Sequence, residues 1–203
     1  MVLMRQTFLR CVLASAIAVV PAMSAMAGES PRTARVPIAI GNFGEVAPTY
    51  FRGEQPEGSD YATLAAFGIK TVIDLQADGQ ATEKGLVEKA GMAFHRIPMT
   101  TRTAPTTAQI DQFLKLVNDP ANQPVYVHCA GGKHRTGVMT AIYRMTHDSW
   151  TSEQAFKEMK QYKFGADFLH PEFKRFVYAF RAEPAGPAAV PGGLIATTTV
   201  AQP

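Results

Sequence analysis

The chain has 203 residues, of which 46% are hydrophobic and 18% charged. That is enough apolar chain for one packed domain with tails, and it excludes a wholly disordered protein. The formal charge is +3; Arg5 and Arg10 account for two of the three, and the +1 left without their segment excludes nucleic-acid binding by bulk charge alone.

Residues 1–27 read as a secretory signal. Arg5 and Arg10 give a basic start, Cys11 to Val20 is apolar, and Ala25-Met26-Ala27 is a small-x-small cleavage site before Gly28. The apolar run is shorter than the roughly 20 residues of an ordinary span. The expectation is an exported protein, periplasmic or secreted, with no stable membrane span after signal removal; a signal retained as an anchor is the alternative. Cys11 leaves with the signal, so Cys129 is the only cysteine of the mature chain. Exported cysteines are usually paired, and a lone one points to a reactive thiol.

Residues 28–42 are expected to form a mobile lead-in: the first part is polar with Pro31, and the rest mixes apolar residues with Pro37 and Gly41. The folded domain is expected over 43–182. Tyr50-Phe51-Arg52-Gly53-Glu54-Gln55-Pro56 is a short strand ending in a Gly/Pro turn. Ser59 or Asp60 caps a helix with Tyr61, Leu64 and Ala65 inward, stopped by Gly68. Residues 69–75, β-branched and short, form a buried strand. Asp78-Gly79 is a turn. Thr82 caps a helix with Glu83, Lys84, Glu88 and Lys89 on its wet side and Gly91 as its stop. Residues 92–99 form another strand. Thr106 or Thr107 caps a helix whose Ile110, Phe113, Leu114 and Val117 share one face.

Val125-Tyr126-Val127 is the next strand, and a helix pattern follows with Val138, Ala141, Ile142 and Met145. Thr151 or Ser152 caps a further helix with Ala155, Phe156 and Met159 inward. Pro171 opens the last one, whose stripe of Phe173, Phe176, Val177 and Phe180 belongs to the core. Residues 183–203 turn to Ala, Pro, Gly and Thr without periodicity, a disordered tail. Strand and helix alternate, which is the pattern of an α/β fold with a single, mostly parallel central sheet flanked by helices.

The stretch between the 125–127 strand and the following helix carries the chemistry: His128-Cys129-Ala130-Gly131-Gly132-Lys133-His134-Arg135-Thr136-Gly137. A glycine-bearing loop between a strand and a helix N-terminus is an anion cradle, because backbone N–H groups and the helix dipole converge on one point. A cysteine within such a loop, beside a fixed cation, is favoured as the nucleophilic thiolate. The Arg135 fork can hold two phosphate oxygens at once. Gly131 and Gly132 let the backbone approach closely. Thr136 can donate a hydroxyl hydrogen bond to the thiolate. His128 holds the Cys129 backbone, with general-base chemistry as the alternative.

The run His-Cys-x-x-x-x-x-Arg-Thr-Gly, here His128 to Gly137, resembles the signature of the cysteine-dependent protein tyrosine phosphatase superfamily. Cys-x-x-Gly-Lys-x-Arg-Thr-Gly, here Cys129 to Gly137, resembles its dual-specificity branch, in particular the atypical plant and fungal type, its bacterial relatives and the inositol or lipid phosphatases. Residues 50–56 are similar to that branch's Tyr-Arg-x-x-Gln-Pro segment, and Thr71-Val72-Ile73-Asp74-Leu75 to one of its strands. The resemblance implies a dual-specificity-phosphatase-like fold, Cys129 as the nucleophile that forms a phosphocysteine, Arg135 as the phosphate-binding cation, and the backbone of Ala130, Gly131, Gly132, Lys133, His134 and Arg135 as the cradle. It implies no metal and no organic cofactor, and a phosphorylated protein, small molecule or inositol phosphate as the partner.

One feature departs from that pattern. The general acid of the family is usually an aspartate on the loop before the catalytic strand, here residues 98–105, and that loop holds threonines and Arg102 but no carboxylate. Asp111 and His134 are the candidate replacements; Asp74, Asp78 and Glu83 lie on or after a neighbouring sheet strand, where Asp78 reads first as a turn residue. Alternatively, the substrate has a leaving group that needs little proton help, as an aryl phosphate or a phosphoanhydride does, with Lys133, His134 and Arg102 meeting further phosphates. Two other classes fit the same loop: a catalytically weak phospho-ligand binding module, and another thiol enzyme such as a sulfurtransferase or arsenate reductase.

Overall fold

The computed structural model describes residues 36–181. In chain order the elements are β1 (Gly44–Ala47), β2 (Tyr50–Gly53), α1 (Asp60–Phe67), β3 (Thr71–Gln76), α2 (Glu83–Lys89), β4 (Ala93–Met99), α3 (Thr107–Asn118), β5 (Val125–His128), α4 (Arg135–His147), α5 (Ser152–Gln161) and α6 (Pro171–Ala179). The five strands form one sheet in the order β1-β2-β5-β3-β4. β1 and β2 are antiparallel, and every other pair is parallel. This is the expected α/β architecture with a mostly parallel central sheet.

Strand side chains alternate between two apolar layers. Tyr50, Ile73, Leu75, Val125 and Val127 pack with residues of α3 to α6, among them Phe113, Ile142, Ala155 and Phe173. Phe51, Val72 and Tyr126 pack on the opposite face with Tyr61 and Leu64 of α1 and Val87 of α2. Helices therefore cover both faces, as a parallel sheet requires. The chain passes from β2 to β3, leaving a gap that β5 fills last. The carboxyl end of β5 thus lies where the strand order reverses, the place where open α/β sheets form a crevice.

Local signals explain the boundaries. Thr106 and Thr151 each form a capping box, with Gln109 and Gln154 respectively. Gly68 ends α1 in the left-handed region at φ 104°, a conformation that costs glycine nothing. Ser59 and Thr82 stand at helix N-termini without a side-chain cap bond.

Three expectations are corrected and one strand is added. Glu83 is not on the wet side of α2: it is fully buried, together with Val87 one turn on. The 28–42 lead-in is folded from Ile40, which is 8% exposed and packs on the Phe51 side of the sheet. Residues 44–47, not assigned to an element from sequence, form the edge strand β1. Finally, α4 starts at Arg135, so Arg135, Thr136 and Gly137 form its buried first turn. The signal, residues 28–35 of the lead-in and the 183–203 tail lie outside the described residues. Among the described residues no helix is long and apolar enough to cross a membrane.

Candidate active site

Strand β5 is buried along its whole length and hands the chain to Cys129, itself 3% exposed. The loop then turns tightly. The Gly132 N–H donates to the Cys129 carbonyl at 3.3 Å, and Gly132 has φ 60°. A Cβ on Gly132 would run into the Gly53 carbonyl at the end of β2. Only glycine satisfies both the dihedral and the space.

Two side chains hold the loop from behind. Arg52 Nη2 donates to the Gly132 carbonyl at 2.5 Å. Asn42 Nδ2 donates to the same carbonyl at 2.9 Å, to the Gly131 carbonyl at 3.3 Å and to the Tyr162 carbonyl at 3.0 Å. A trans peptide points its N–H opposite to its C=O, so drawing the Gly132 carbonyl outward turns the Lys133 N–H toward the inside of the loop. Arg52 is fully buried, and its guanidinium lies 4.0 Å from the Tyr162 ring centroid. Burial lowers its pKa from the ordinary arginine value, and Nε and Nη1 have no partner among the described residues.

Arg135 is 3% exposed. Its Nη1 donates to Asp78 Oδ1 at 2.6 Å and to the Met99 carbonyl at 3.2 Å, and Nη2 reaches Gln76 Oε1 at 3.5 Å. The fork is thus oriented by the ends of β3 and β4 and by the turn after β3. Hydrogen bonding from Arg135 holds the Asp78 carboxyl below the usual aspartate range. From sequence Asp78 stands with Asp74 and Glu83 as a replacement acid to weigh, and the turn role is preferred. The available signal was its place just past the end of a parallel strand, on the same edge as the cysteine loop.

Beneath the loop lies a buried polar network. Asp74 and His128 are register partners on β3 and β5. His128 Nε2 is 2.9 Å from Glu83 Oε1, a close contact without hydrogen-bond alignment. Glu83 accepts from Gln55 Nε2 at 2.6 Å and from the Tyr61 hydroxyl at 3.4 Å. Arg96 binds Asp74 at 2.6 Å and approaches Glu83 at 3.5 Å. Gln76 donates to Gln55 at 2.6 Å, which joins the network to the residues around Arg135. Burial pushes the Asp74 carboxyl up. For Glu83 burial acts upward too, but His128, Gln55 and Arg96 together hold the carboxyl below its ordinary value. Burial and the Glu83 carboxylate push the Tyr61 phenol up to about 12. Asp74, Glu83 and His128 each offer a ligand atom within 4.8 Å of the others. Arg96 already sits on both carboxylates, so a guanidinium takes the place a cation would need.

The other predicted residues divide. Cys129 to Thr136 share the loop and the first helical turn, and Gly137 packs against Met159. The Thr136 hydroxyl is buried with no hydrogen-bond partner among the described residues, and the expected bond to the sulfur is not formed. The His134 ring turns toward the α5–α6 connection: Nε2 lies 2.9 Å from the Phe164 carbonyl, and the ring centroid lies 3.7 Å from that of His170 with the planes tilted by 38°. Burial and then His170 push the His134 pKa down. His170 Nδ1 in turn contacts the Thr101 carbonyl at 3.1 Å, tying the carboxylate-free loop to this pair. Lys133 is half-buried. Asp111 is exposed on α3.

A family described as "DSP-PTPase phosphatase fused to NAD+ Kinase" matches residues 41–174. The dual specificity protein phosphatase TpbA of Pseudomonas aeruginosa is 25% identical over 124 residues, 61% of this chain and 56% of that protein. The inositol diphosphatase DSP2 of Oryza sativa is 27% identical over 144 residues, 68% of this chain and 69% of its own. The inositol diphosphatase SIW14 of Saccharomyces cerevisiae is 25% identical over 129 residues, 61% of this chain and 46% of the relative. The chain thus spans about half the length of two of these relatives. Among solved structures, the SIW14 catalytic core in complex with citrate superposes with a TM-score of 0.62 at 23% identity, over 70% of this chain and 87% of that one. A TpbA structure in complex with phosphotyrosine superposes with a TM-score of 0.59 at 22% identity, over 68% and 83%. These two likenesses concern the fold.

Proposed function

The chain belongs to the DSP-PTPase phosphatase family, and on that premise we propose that it hydrolyses phosphate monoesters of the tyrosine or dual-specificity type through a phosphocysteine on Cys129. The observation that carries this reading is one short loop that starts on Cys129 at the end of β5, is held from behind at Gly132 by Arg52 and Asn42, and ends on Arg135, whose fork is oriented by Asp78, Met99 and Gln76. Cys129 Sγ attacks phosphorus, the ester P–O bond breaks, and the leaving oxygen takes a proton. Water then attacks the phosphocysteine, releasing inorganic phosphate and restoring the thiolate. Arg135 clamps non-bridging oxygens, whose charge is spread most widely in the transition state. The backbone of residues 130–135 supplies the remaining donors.

A second reading of the same chemistry has a specific observation behind it. The loop between β4 and α3, residues 100–106, carries no carboxylate, and half-buried Lys133 lies two residues ahead of Arg135 in the cradle. Both suit an inositol pyrophosphate or phosphoinositide, a class with more phosphates to bind and, in a phosphoanhydride, an easier leaving group. We further propose export of the protein, on the composition of residues 1–27.

The test is turnover of an aryl phosphate by the purified protein, alongside phosphotyrosine and phosphoserine peptides, phosphoinositides and inositol polyphosphates. Vanadate is expected to inhibit, and Cys129→Ser to abolish turnover on every substrate. Binding of phosphate esters without turnover of any would instead favour the phospho-ligand module.

A further inference from the structure

Breaking an ester of a weakly acidic alcohol requires a proton on the departing oxygen, and a positioned general acid contributes about 10²–10⁴ in rate. Residues 100–105 do not supply one. Other carboxylates near the site are already committed. Asp74 is fully buried against Arg96, and Glu83 is fully buried among His128, Gln55 and Arg96. Asp78 is different. Its Oδ1 lies 2.6 Å from Arg135 Nη1, yet its side chain is 73% exposed, so it stands at the rim of the cradle and not beneath it.

The turn that carries Asp78 is braced. The Ala77 N–H donates to the Met99 carbonyl at 3.0 Å and the Gln76 N–H to Asp74 Oδ1 at 2.9 Å. Gly79 sits so close to the Asp74 and Arg96 side chains that a Cβ would collide with them. The carboxylate is thereby held beside the phosphate-binding arginine by packed backbone, as a reacting group must be.

We propose that Asp78, on the β3–α2 turn, is the proton donor to the leaving oxygen, and that its pairing with Arg135 is the resting state of that acid. This rests on the phosphocysteine reading above. When a phosphate dianion binds Arg135, it replaces Asp78 as the partner of the guanidinium. The carboxylate, now beside a dianion and no longer on a cation, takes up a proton from solvent. As the Cys129 Sγ–P bond forms, the ester P–O bond breaks and its electron pair goes to the leaving oxygen, which receives the Asp78 proton. In the second half, water attacks phosphorus and gives a proton to the Asp78 carboxylate. The S–P bond then breaks, with its electrons returning to sulfur. Phosphate leaves, Asp78 releases its proton to solvent and pairs again with Arg135.

The experiment is a leaving-group series, from aryl phosphates with acidic phenols to an alkyl phosphate, on the full chain and on Asp78→Asn. Turnover of the alkyl ester is expected to fall about 100-fold or more, and that of the most acidic phenol by only a few-fold. KM is expected to fall, because an anion competing for Arg135 is removed. Asp78→Glu is expected to recover part of the loss on poor leaving groups. A loss of equal size on all esters would mean that Asp78 only positions Arg135, and would overturn the assignment. So would a steepened leaving-group dependence in Asp111→Asn instead. Unchanged turnover in Cys129→Ser would remove the phosphocysteine reading and this inference with it, whereas an inactive Cys129→Ser with a uniform Asp78→Asn loss removes the Asp78 assignment alone.

Discussion

At the scale of the residue, the cradle depends on two glycines of unequal importance. The nearest atoms to a hypothetical Cβ on Gly131 are the Lys133 methylenes, the first at 3.4 Å, whereas Gly132 has φ 60° and faces backbone. Holding a non-glycine residue in the left-handed region costs about 1–2 kcal/mol, before any displacement of β2. Gly132→Ala is therefore expected to lower stability by about 2 kcal/mol or more and to remove most of the aryl phosphatase activity, whereas Gly131→Ala costs much less stability. Urea denaturation and steady-state kinetics on the two variants check this. The importance of Arg52 also emerges at this scale. Its motif was visible in the sequence, but its task, holding the Gly132 carbonyl 80 residues away, was not.

At the scale of the element, α2 is the informative case. A helix beginning Glu-Lys-Gly-Leu-Val-Glu-Lys reads as solvated by charge, and Lys84 with Glu88 does form an exposed pair at 2.9 Å. Glu83 shares the inward face with Val87 because the sheet beneath it presents His128 and Asp74, groups that need a polar partner. The fold favours ionised Glu83. Its contribution is present above the unfolded value of about 4.3 and is lost as pH falls through the depressed folded value. Asp74 has the opposite sign: burial raises it, so its contribution is present below about 3.9 and is lost as pH rises through the raised value. Glu83→Ala leaves Gln55, Tyr61 and His128 without their polar partner and is expected to cost about 1–3 kcal/mol at pH 7. Glu83→Gln, which can keep a bond to Tyr61, is expected to cost less and to flatten the acid limb of the stability–pH curve. Denaturation of both variants across pH 3–7 reads this out.

At the scale of the whole molecule, the segment ahead of β1 is part of the folded body. Ile40 is buried, and Asn42 bridges the cradle to the Tyr162 carbonyl on the far side of the loop. Burying an isoleucine is worth about 1.5–3 kcal/mol, and each net hydrogen bond about 1 kcal/mol. A chain starting at residue 43 is accordingly expected to be about 3 kcal/mol less stable than one starting at residue 36, and to bind vanadate more weakly. Thermal melts with and without vanadate measure both effects.

Much of this was legible in the one-dimensional pattern. Period-two and period-3.6 hydrophobicity, Thr caps and Gly stops are local signals, and they located the helices and most strands. The ten residues from His128 to Gly137 announced a thiol and a guanidinium in an anion cradle, because that chemistry requires those residue types at close spacing along the chain. What supports and completes the cradle could not be read in the same way. Arg52 and Asn42 behind the loop, Glu83 beneath His128 and Asp78 on Arg135 come from segments 45 to 90 residues away from their partners. Their roles exist only once β5 inserts between β2 and β3 and brings those strand ends together. Burial then decides which charged side chain is paired and which is solvated, and burial is a property of the packed layers, not of the local sequence.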